Sequence, residues 1–424
     1  MSMVHDILCK HTIGDGEKIV IDPVKSNGVY LVDLIDGKKY LDCSSQYASM
    51  ALGWNNPTLK KYLEENKESL NFCNLHKIAN CDFYTTVYAE FVSKFSEITS
   101  DFKHLFFVEG GTLGVENAIK AAFDWKAKKL GLTHKASNSI VNKFDVIHLQ
   151  QAFHGRSGYC LSITNTIANK VSLFPKFNWT RIKNPKLEFP IVESKVAIDE
   201  ELSLLQAENA LKSNNVAAIV LETIQGEGGD NHFRTEYFKA LRKLADQYEA
   251  LLILDEVQTG VGLTGKMWAY QHSGIIPDII AFGKKTQVCG FASTDRIDEV
   301  SDNVFRESSR ISSTWGGNII DMYRFTQIIE ILQEQRLVDN AKEVGEYFLN
   351  KLYEVKNIKN VRGKGLMIAF DLNTTQERNE VLKKLQSDMA ILPCGEKSIR
   401  LRPHLIFSKD NVDEAIYYIN KSVS

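Results

Sequence analysis

Five short apolar runs recur from about residue 104 onward, and they constrain this chain more than any other feature: His104–Val108, Val146–Leu149, Val216–Leu221, Leu251–Leu254 and Ile279–Phe282. Each is too short for a buried helix, and stretches of helical period separate them. One such stretch, Val115 to Lys126, places Val115, Ala118, Ile119, Ala122 and Phe123 on one face; another, Tyr237 to Tyr248, places Phe238, Leu241, Leu244 and Ala245. Strands that are apolar on both faces need a layer on each side, so the pattern predicts an α/β fold with a largely parallel sheet. Ahead of it, Val29–Asp33 and Lys39–Asp42 flank Asp36-Gly37, a pair that tolerates positive φ, and read as a β-hairpin. After Trp315-Gly316-Gly317-Asn318 a long amphipathic helix runs through Ile328, Ile329 and Leu332. The strands Gly365–Phe370 and Ile399–Leu401 follow among helices, as in a second α+β unit.

Charge excludes several function classes. Lysine and arginine total 51 against 53 acids, a net charge of −2 with no half dominated by one sign, which argues against binding nucleic acid or an anionic membrane. The seven cysteines are scattered, with no CxxC pair and no zinc-like histidine spacing, so no metal is expected and a reduced, cytoplasmic setting fits. No apolar run approaches the roughly 18 residues of a membrane helix, and Met1–Lys10 has neither the basic flank nor the apolar core of a signal peptide. Pro175, Pro185 and Pro190 mark a long irregular excursion, a kind of loop that usually serves function.

Ligands of parallel sheets collect at the carboxyl ends of strands, so the residues following each strand carry the chemistry. His104–Val108 runs into Glu109-Gly110-Gly111-Thr112 and a helix, where glycines and unpaired N–H groups can hold an anion such as phosphate, or merely turn the chain. Leu251–Leu254 ends in Asp255-Glu256-Val257-Gln258. A carboxylate beyond four buried aliphatics needs a cationic partner to stay ionised, which points to Asp255, whereas Glu256 is as compatible with a structural role. Ile279–Phe282 ends in Gly283-Lys284-Lys285; a lysine desolvated there loses part of its charge and becomes a nucleophile, although adjacent lysines are commonly a solvated pair.

Gly260-Val261-Gly262-Leu263-Thr264-Gly265-Lys266-Met267 nearly spells a nucleotide-binding P-loop. Met267 cannot ligate magnesium, however, and the glycine run begins five positions after Asp255 instead of directly at the end of the strand. A nucleotide binder is therefore a rival reading, not the leading one.

Taken together, the glycine turn before a helix, DEVQTG, and GKK about thirty residues later resemble the class III, fold type I aminotransferases that use pyridoxal phosphate. Val108-Glu109-Gly110-Gly111, Ala152-Phe153-His154-Gly155-Arg156, Phe174–Trp179, Gln225–Asp230 and Gly283–Gly290 are similar to the lysine 6-aminotransferase branch of that family. Thr223 departs from it, standing where proline is commoner after the acid. The resemblance implies a mostly parallel seven-stranded large domain over 59–318. A smaller α+β domain would be drawn from both chain ends, 1–58 and 319–424. It implies that Lys284 forms a Schiff base with the cofactor and then moves protons, with Lys285 as the fallback. It further implies Asp255 against the pyridine nitrogen, Gln258 on the phenolic oxygen and Phe153 stacked on the ring. Gly111 and Thr112 would hold the phosphate, with Thr314 reaching it from the neighbouring subunit of a homodimer whose active sites are shared.

Two carboxylates must be bound in different places, one per substrate, so two cationic anchors are needed. By the same resemblance Arg156 is the outer one and Arg400 the inner one, with Glu227 as a movable acid that masks Arg400 when lysine is bound; Arg402 remains the alternative to Arg400. The implied reaction is a ping-pong transfer of the ε-amine of L-lysine to 2-oxoglutarate, giving 2-aminoadipate 6-semialdehyde and L-glutamate. Ornithine or 4-aminobutyrate as donor, or a fold that binds pyridoxal phosphate without turnover, are the alternatives.

Overall fold

In the computed structural model, which describes residues 3–13 and 19–424, the hairpin forms as expected. Strands β1 (Tyr30–Val32) and β2 (Lys39–Asp42) pair antiparallel around a turn with Gly37 at φ 73°. The apolar runs become strands of one seven-stranded sheet: β3 (His104–Val108), β4 (Asp145–Leu149), β5 (Arg181–Ile182), β6 (Val216–Glu222), β7 (Leu251–Asp255), β8 (Ile279–Phe282) and β9 (Cys289–Ser293). Their order is β3-β9-β8-β7-β6-β4-β5, and β9 alone runs against the others. Periodicity did not reveal β5, which is two residues long, or β9, whose Cys289-Gly290-Phe291-Ala292-Ser293 lacks a continuous aliphatic run.

Strand alternation divides the core into two layers. Ile253, Ile279 and Ala281 pack with Val115, Ile119, Ala122 and Trp125 of the helix Gly111–Lys129 on one face. Leu252, Leu254, Ile280 and Phe282 face the other layer, with Phe91 and Phe95 of Thr86–Ile98, Tyr237 and Leu241 of Thr235–Gln247, and Phe325 of Ile319–Glu334. Gly114 lets the first helix approach closely, since a Cβ there would sit 2.7 Å from the Gly290 carbonyl oxygen of β9.

Beyond the long helix lie β10 (Lys359–Lys364), β11 (Met367–Asp371), β12 (Met389–Ala390), β13 (Leu392–Cys394) and β14 (Ser398–Leu401). Four of them form the sheet β10-β11-β14-β13, while β12 pairs parallel with β2, so one small sheet is assembled from both ends of the chain. Among the described residues no helix is long and apolar enough to cross a membrane.

Asp42, at the end of β2, fastens these ends together. Its fully buried carboxylate accepts from the backbone N–H groups of Ser44 and Ser45 (2.9 and 2.8 Å) and from Trp54 Nε1 (2.9 Å), and it meets His404 Nε2 at 3.1 Å. These contacts hold four consecutive residues, Ser45 to Ala48, at φ between 40° and 67°, a left-handed turn that L-residues adopt only under constraint. Burial pushes the Asp42 pKa up, but His404, Trp54 and the Ser44 amide outweigh it and bring it down to about 2. A depressed carboxylate stabilises the fold above its unfolded pKa, and that contribution is lost as pH falls through the folded one. The thermal midpoint should therefore fall as pH drops from about 4 towards 2. Asp42→Asn should be less stable at neutral pH by about 2 kcal/mol, with a shallower acid limb. An unchanged acid limb in the variant would contradict this assignment.

Candidate active site

The carboxyl ends of the strands converge on a cavity of about 350 Å³ lined by Gly111, Thr112, Phe153, His154, Arg156, Glu222, Glu227, Asp255, Gln258 and Lys284 among others. Each predicted group in it arrives by a short route. Asp255 is the last residue of β7, Glu222 the last of β6 and its register partner, and Lys284 follows β8 after one glycine. Gly111 and Thr112 open the helix after β3, with Gly110 at φ 100° turning the chain into it. Gly155, at φ 109°, permits the approach of the segment after β4, because a Cβ there would meet Thr112 Oγ1 at 2.1 Å.

Asp255 has the cationic partner that its burial demands. Its Oδ2 lies 2.8 Å from His154 Nδ1, and its Oδ1 accepts the Val257 N–H at 3.0 Å. Burial lowers the pKa of the His154 imidazole, but the hydrogen bond and charge of Asp255, with Glu222 beyond, raise it overall. Glu222 is pushed up to about 7, mainly by burial, while its oxygens accept the N–H groups of Phe153 (3.0 Å) and Gly226 (2.9 Å). Burial thus favours the neutral form of Glu222, which limits the negative charge packed at the strand ends.

The lysine alternatives separate clearly. Lys284 lines the cavity with φ 56°, a strained position for a non-glycine residue, and burial followed by the charges of Arg400 and Arg402 lowers its pKa to about 8. Lys285 is fully buried away from the cavity lining, its Nζ has no hydrogen-bond partner, and burial drives its pKa well down.

The arginine alternatives also separate. Arg402 is committed to structure: it pairs with the buried Asp230, donates to Gln258 Oε1 from Nε and Nη2 (both 3.2 Å), and donates to the Leu401 carbonyl at 2.9 Å. Arg400, on β14, is 5% exposed and faces Glu227 Oε2 at 3.4 Å, with the Tyr47 ring of the left-handed turn 5.9 Å away. Arg156 is exposed at the cavity and enters no ion pair among the described residues. Thr314 is exposed, accepts a hydrogen bond from Cys81 Sγ (3.1 Å) on its carbonyl, and lies outside the cavity of its own chain.

Glu256 proves structural. It is fully buried and accepts from Thr223 Oγ1 (2.9 Å), Thr259 Oγ1, Ala269 N (3.0 Å) and Tyr270 N (2.6 Å). Thr223, the departure from the family pattern, therefore adds a donor to this acid. The P-loop rival has no support in the geometry: Gly262 and Gly265 are buried in a turn closed by Gly262 N–H to Met267 O (3.0 Å), Lys266 is exposed, and no long helix follows.

Sequence reasoning gave no role to His154, Glu222 or Lys170. His154 was visible between Phe153 and Gly155 in the Ala152–Arg156 stretch, but no local period set it apart. Glu222, one strand from Asp255, needed the β6–β7 register to be recognised.

The sequence profile described as aminotransferase class III matches residues 13–423. The L-lysine-epsilon aminotransferase of Streptomyces clavuligerus is 44% identical over 434 residues, 99% of this chain and 94% of that protein. The L-lysine-epsilon aminotransferase of Mycobacterium tuberculosis (strain ATCC 25618 / H37Rv) is 45% identical over 432 residues, 99% and 95%. The solved lysine aminotransferase from M. tuberculosis, in its internal aldimine form, superposes with a TM-score of 0.94 at 44% identity, covering 99% of each chain.

Removing the Glu256 carboxylate would strand four buried donors. Glu256→Ala is expected to cost about 3–5 kcal/mol in denaturant unfolding, and Glu256→Gln, which retains an acceptor, distinctly less. Equal losses in the two variants would show that the hydrogen bonds are not what holds this loop.

Proposed function

Because the chain belongs to the class III aminotransferases, we propose that it transfers the ε-amino group of L-lysine to 2-oxoglutarate, releasing 2-aminoadipate 6-semialdehyde and L-glutamate in a ping-pong cycle. The observation that carries the substrate reading is the Glu227–Arg400 ion pair, which covers the inner anchor while Arg156 stands unpaired at the cavity. A donor whose carboxylate lies far from its reacting amine suits that state. Full-length similarity to proteins named L-lysine-epsilon aminotransferases supports the same donor.

Pyridoxal phosphate is the cofactor of this family, and the cavity fits it: a buried anion, a desolvated amine and a helix N-terminus line one space. Gly111 and Thr112 would hold the phosphate, Phe153 the ring face, Asp255 the ring nitrogen, Gln258 the phenolic oxygen and Lys284 the aldehyde. Bound there, the cofactor supplies an electron sink for the substrate carbanion and carries the amino group between half-reactions.

The chain's own groups do the rest. Lys284 Nζ, with a pKa near 8, is partly neutral at physiological pH and takes the proton from the substrate carbon bearing the amine. Asp255, kept in place by His154, presents a fixed negative charge to the ring nitrogen. Gln258 Oε1 is occupied by Arg402, which orients its amide and leaves the Nε2 donor for the cofactor. Arg156 takes the α-carboxylate of lysine, and Arg400, once Glu227 withdraws, takes the carboxylate beside the keto carbon of 2-oxoglutarate.

We further assign a homodimer in which Thr314 completes the neighbouring subunit's phosphate site, domains over 1–58, 59–318 and 319–424, and a cytoplasmic location. Steady-state glutamate formation tests the substrate: kcat/KM for L-lysine should exceed that for ornithine and 4-aminobutyrate by at least about tenfold, and Lys284→Ala should abolish turnover. A preference for 4-aminobutyrate would overturn the donor.

A further inference from the structure

Glu227 is held by two cations, and they hold it unequally. Lys170, closing the short turn Ala168–Lys170 in the irregular excursion, places Nζ 2.5 Å from Glu227 Oε1. Arg400 Nη1 lies 3.4 Å from Oε2, close enough for an ion pair, yet that buried nitrogen makes no hydrogen bond. The carboxylate is therefore hydrogen-bonded to Lys170 and only electrostatically associated with Arg400. Burial pushes the Glu227 pKa up, but Arg400, Lys170 and Lys284 together outweigh it, so the acid stays charged.

The backbone beneath this side chain is fixed. The Glu227 carbonyl accepts the Gly395 N–H at 2.9 Å, and a Cβ at neighbouring Gly228 would lie 2.1 Å from the Gln151 carbonyl oxygen. Uncovering Arg400 is then a matter of side-chain rotation about an anchored Cα. A carboxylate whose side chain is only 19% exposed cannot leave one cation cheaply unless another receives it. Lys170, with its side chain 30% exposed against 6% for Arg400, is the better solvated of the two and needs the acid less.

We propose that Lys170 is a positioning residue of the substrate switch: it is the dock that holds Glu227 whenever Arg400 must bind the carboxylate of the oxo acid. The proposal rests on the reading of Glu227 as the acid that covers Arg400. It predicts an effect confined to one half-reaction. Without Lys170, Glu227 has Arg400 as its remaining close cation, so the oxo acid must displace a tighter pair. The amine donor, which uses the covered state, loses nothing.

The test is stopped-flow analysis of the two half-reactions in the holoenzyme, comparing wild type with Lys170→Met, Lys170→Gln, Lys170→Arg, Glu227→Gln and the double variant Lys170→Met/Glu227→Gln. Lys170→Met and Lys170→Gln should weaken apparent 2-oxoglutarate binding roughly tenfold, leave the L-lysine half-reaction within about twofold, and be rescued in Lys170→Arg. In the Glu227→Gln background, removing Lys170 should change nothing further, because no charged switch remains to dock. Equal loss in both half-reactions, no change for 2-oxoglutarate, or the same loss without the Glu227 carboxylate would overturn the proposal. If wild type itself fails to react with L-lysine but reacts with another ω-amine, the donor assignment fails while the 2-oxoglutarate arm still decides the role of Lys170.

Discussion

A carboxylate at the end of a strand that is buried on both faces stays charged only if something meets it, and the whole site follows from how Asp255 is met. His154 provides the partner from below at 2.8 Å, and Val257 provides an amide. The neighbouring acid, Glu222, is driven by burial towards its neutral form, so two carboxylates in register do not repel at full charge. What remains is one fixed negative charge facing a cavity, with a lysine whose own charge has been weakened by desolvation just past the next strand. A heteroaromatic nitrogen and an aldehyde fit between them.

The same logic is repeated at the substrate end, with a difference that matters. Arg402 and Asp230 are both buried and locked to each other and to Gln258, a static pair that orients the side chain proposed to meet the cofactor. Arg400 and Glu227 are held loosely, and Lys170 competes for the acid. One arginine is built in and its neighbour two residues away is left available. That contrast supports the proposal of Arg400, and not Arg402, as the anchor, a choice that sequence alone left open. Upstream, Asp42 braces the left-handed turn that brings Tyr47 beside Arg400, linking the join of the chain ends to the proposed anchor.

Much of this was legible in the residues themselves. The runs from His104 to Phe282 became strands within a residue of their expected bounds, and Asp255, Gln258, Phe153 and Lys284 came together in one cavity. What was not legible had physical causes. β9 is a glycine-containing strand whose apolar pattern is broken, and it is placed by pairing with β3 and β8, not by its own propensity. His154, Glu222 and Lys170 act through partners 101, 69 and 57 positions away, and no local period encodes such separations. The four left-handed residues at Ser45–Ala48 include no glycine to announce them; a distant histidine and a tryptophan side chain brace the acid that holds them.

Lys284, and not its buried neighbour, is proposed as the group joined to the cofactor opposite Asp255. Borohydride reduction of the purified holoenzyme followed by peptide mass mapping tests it most directly. A single reduced pyridoxyl adduct on Lys284 is expected; an adduct on Lys285, on another lysine, or on none would contradict this assignment.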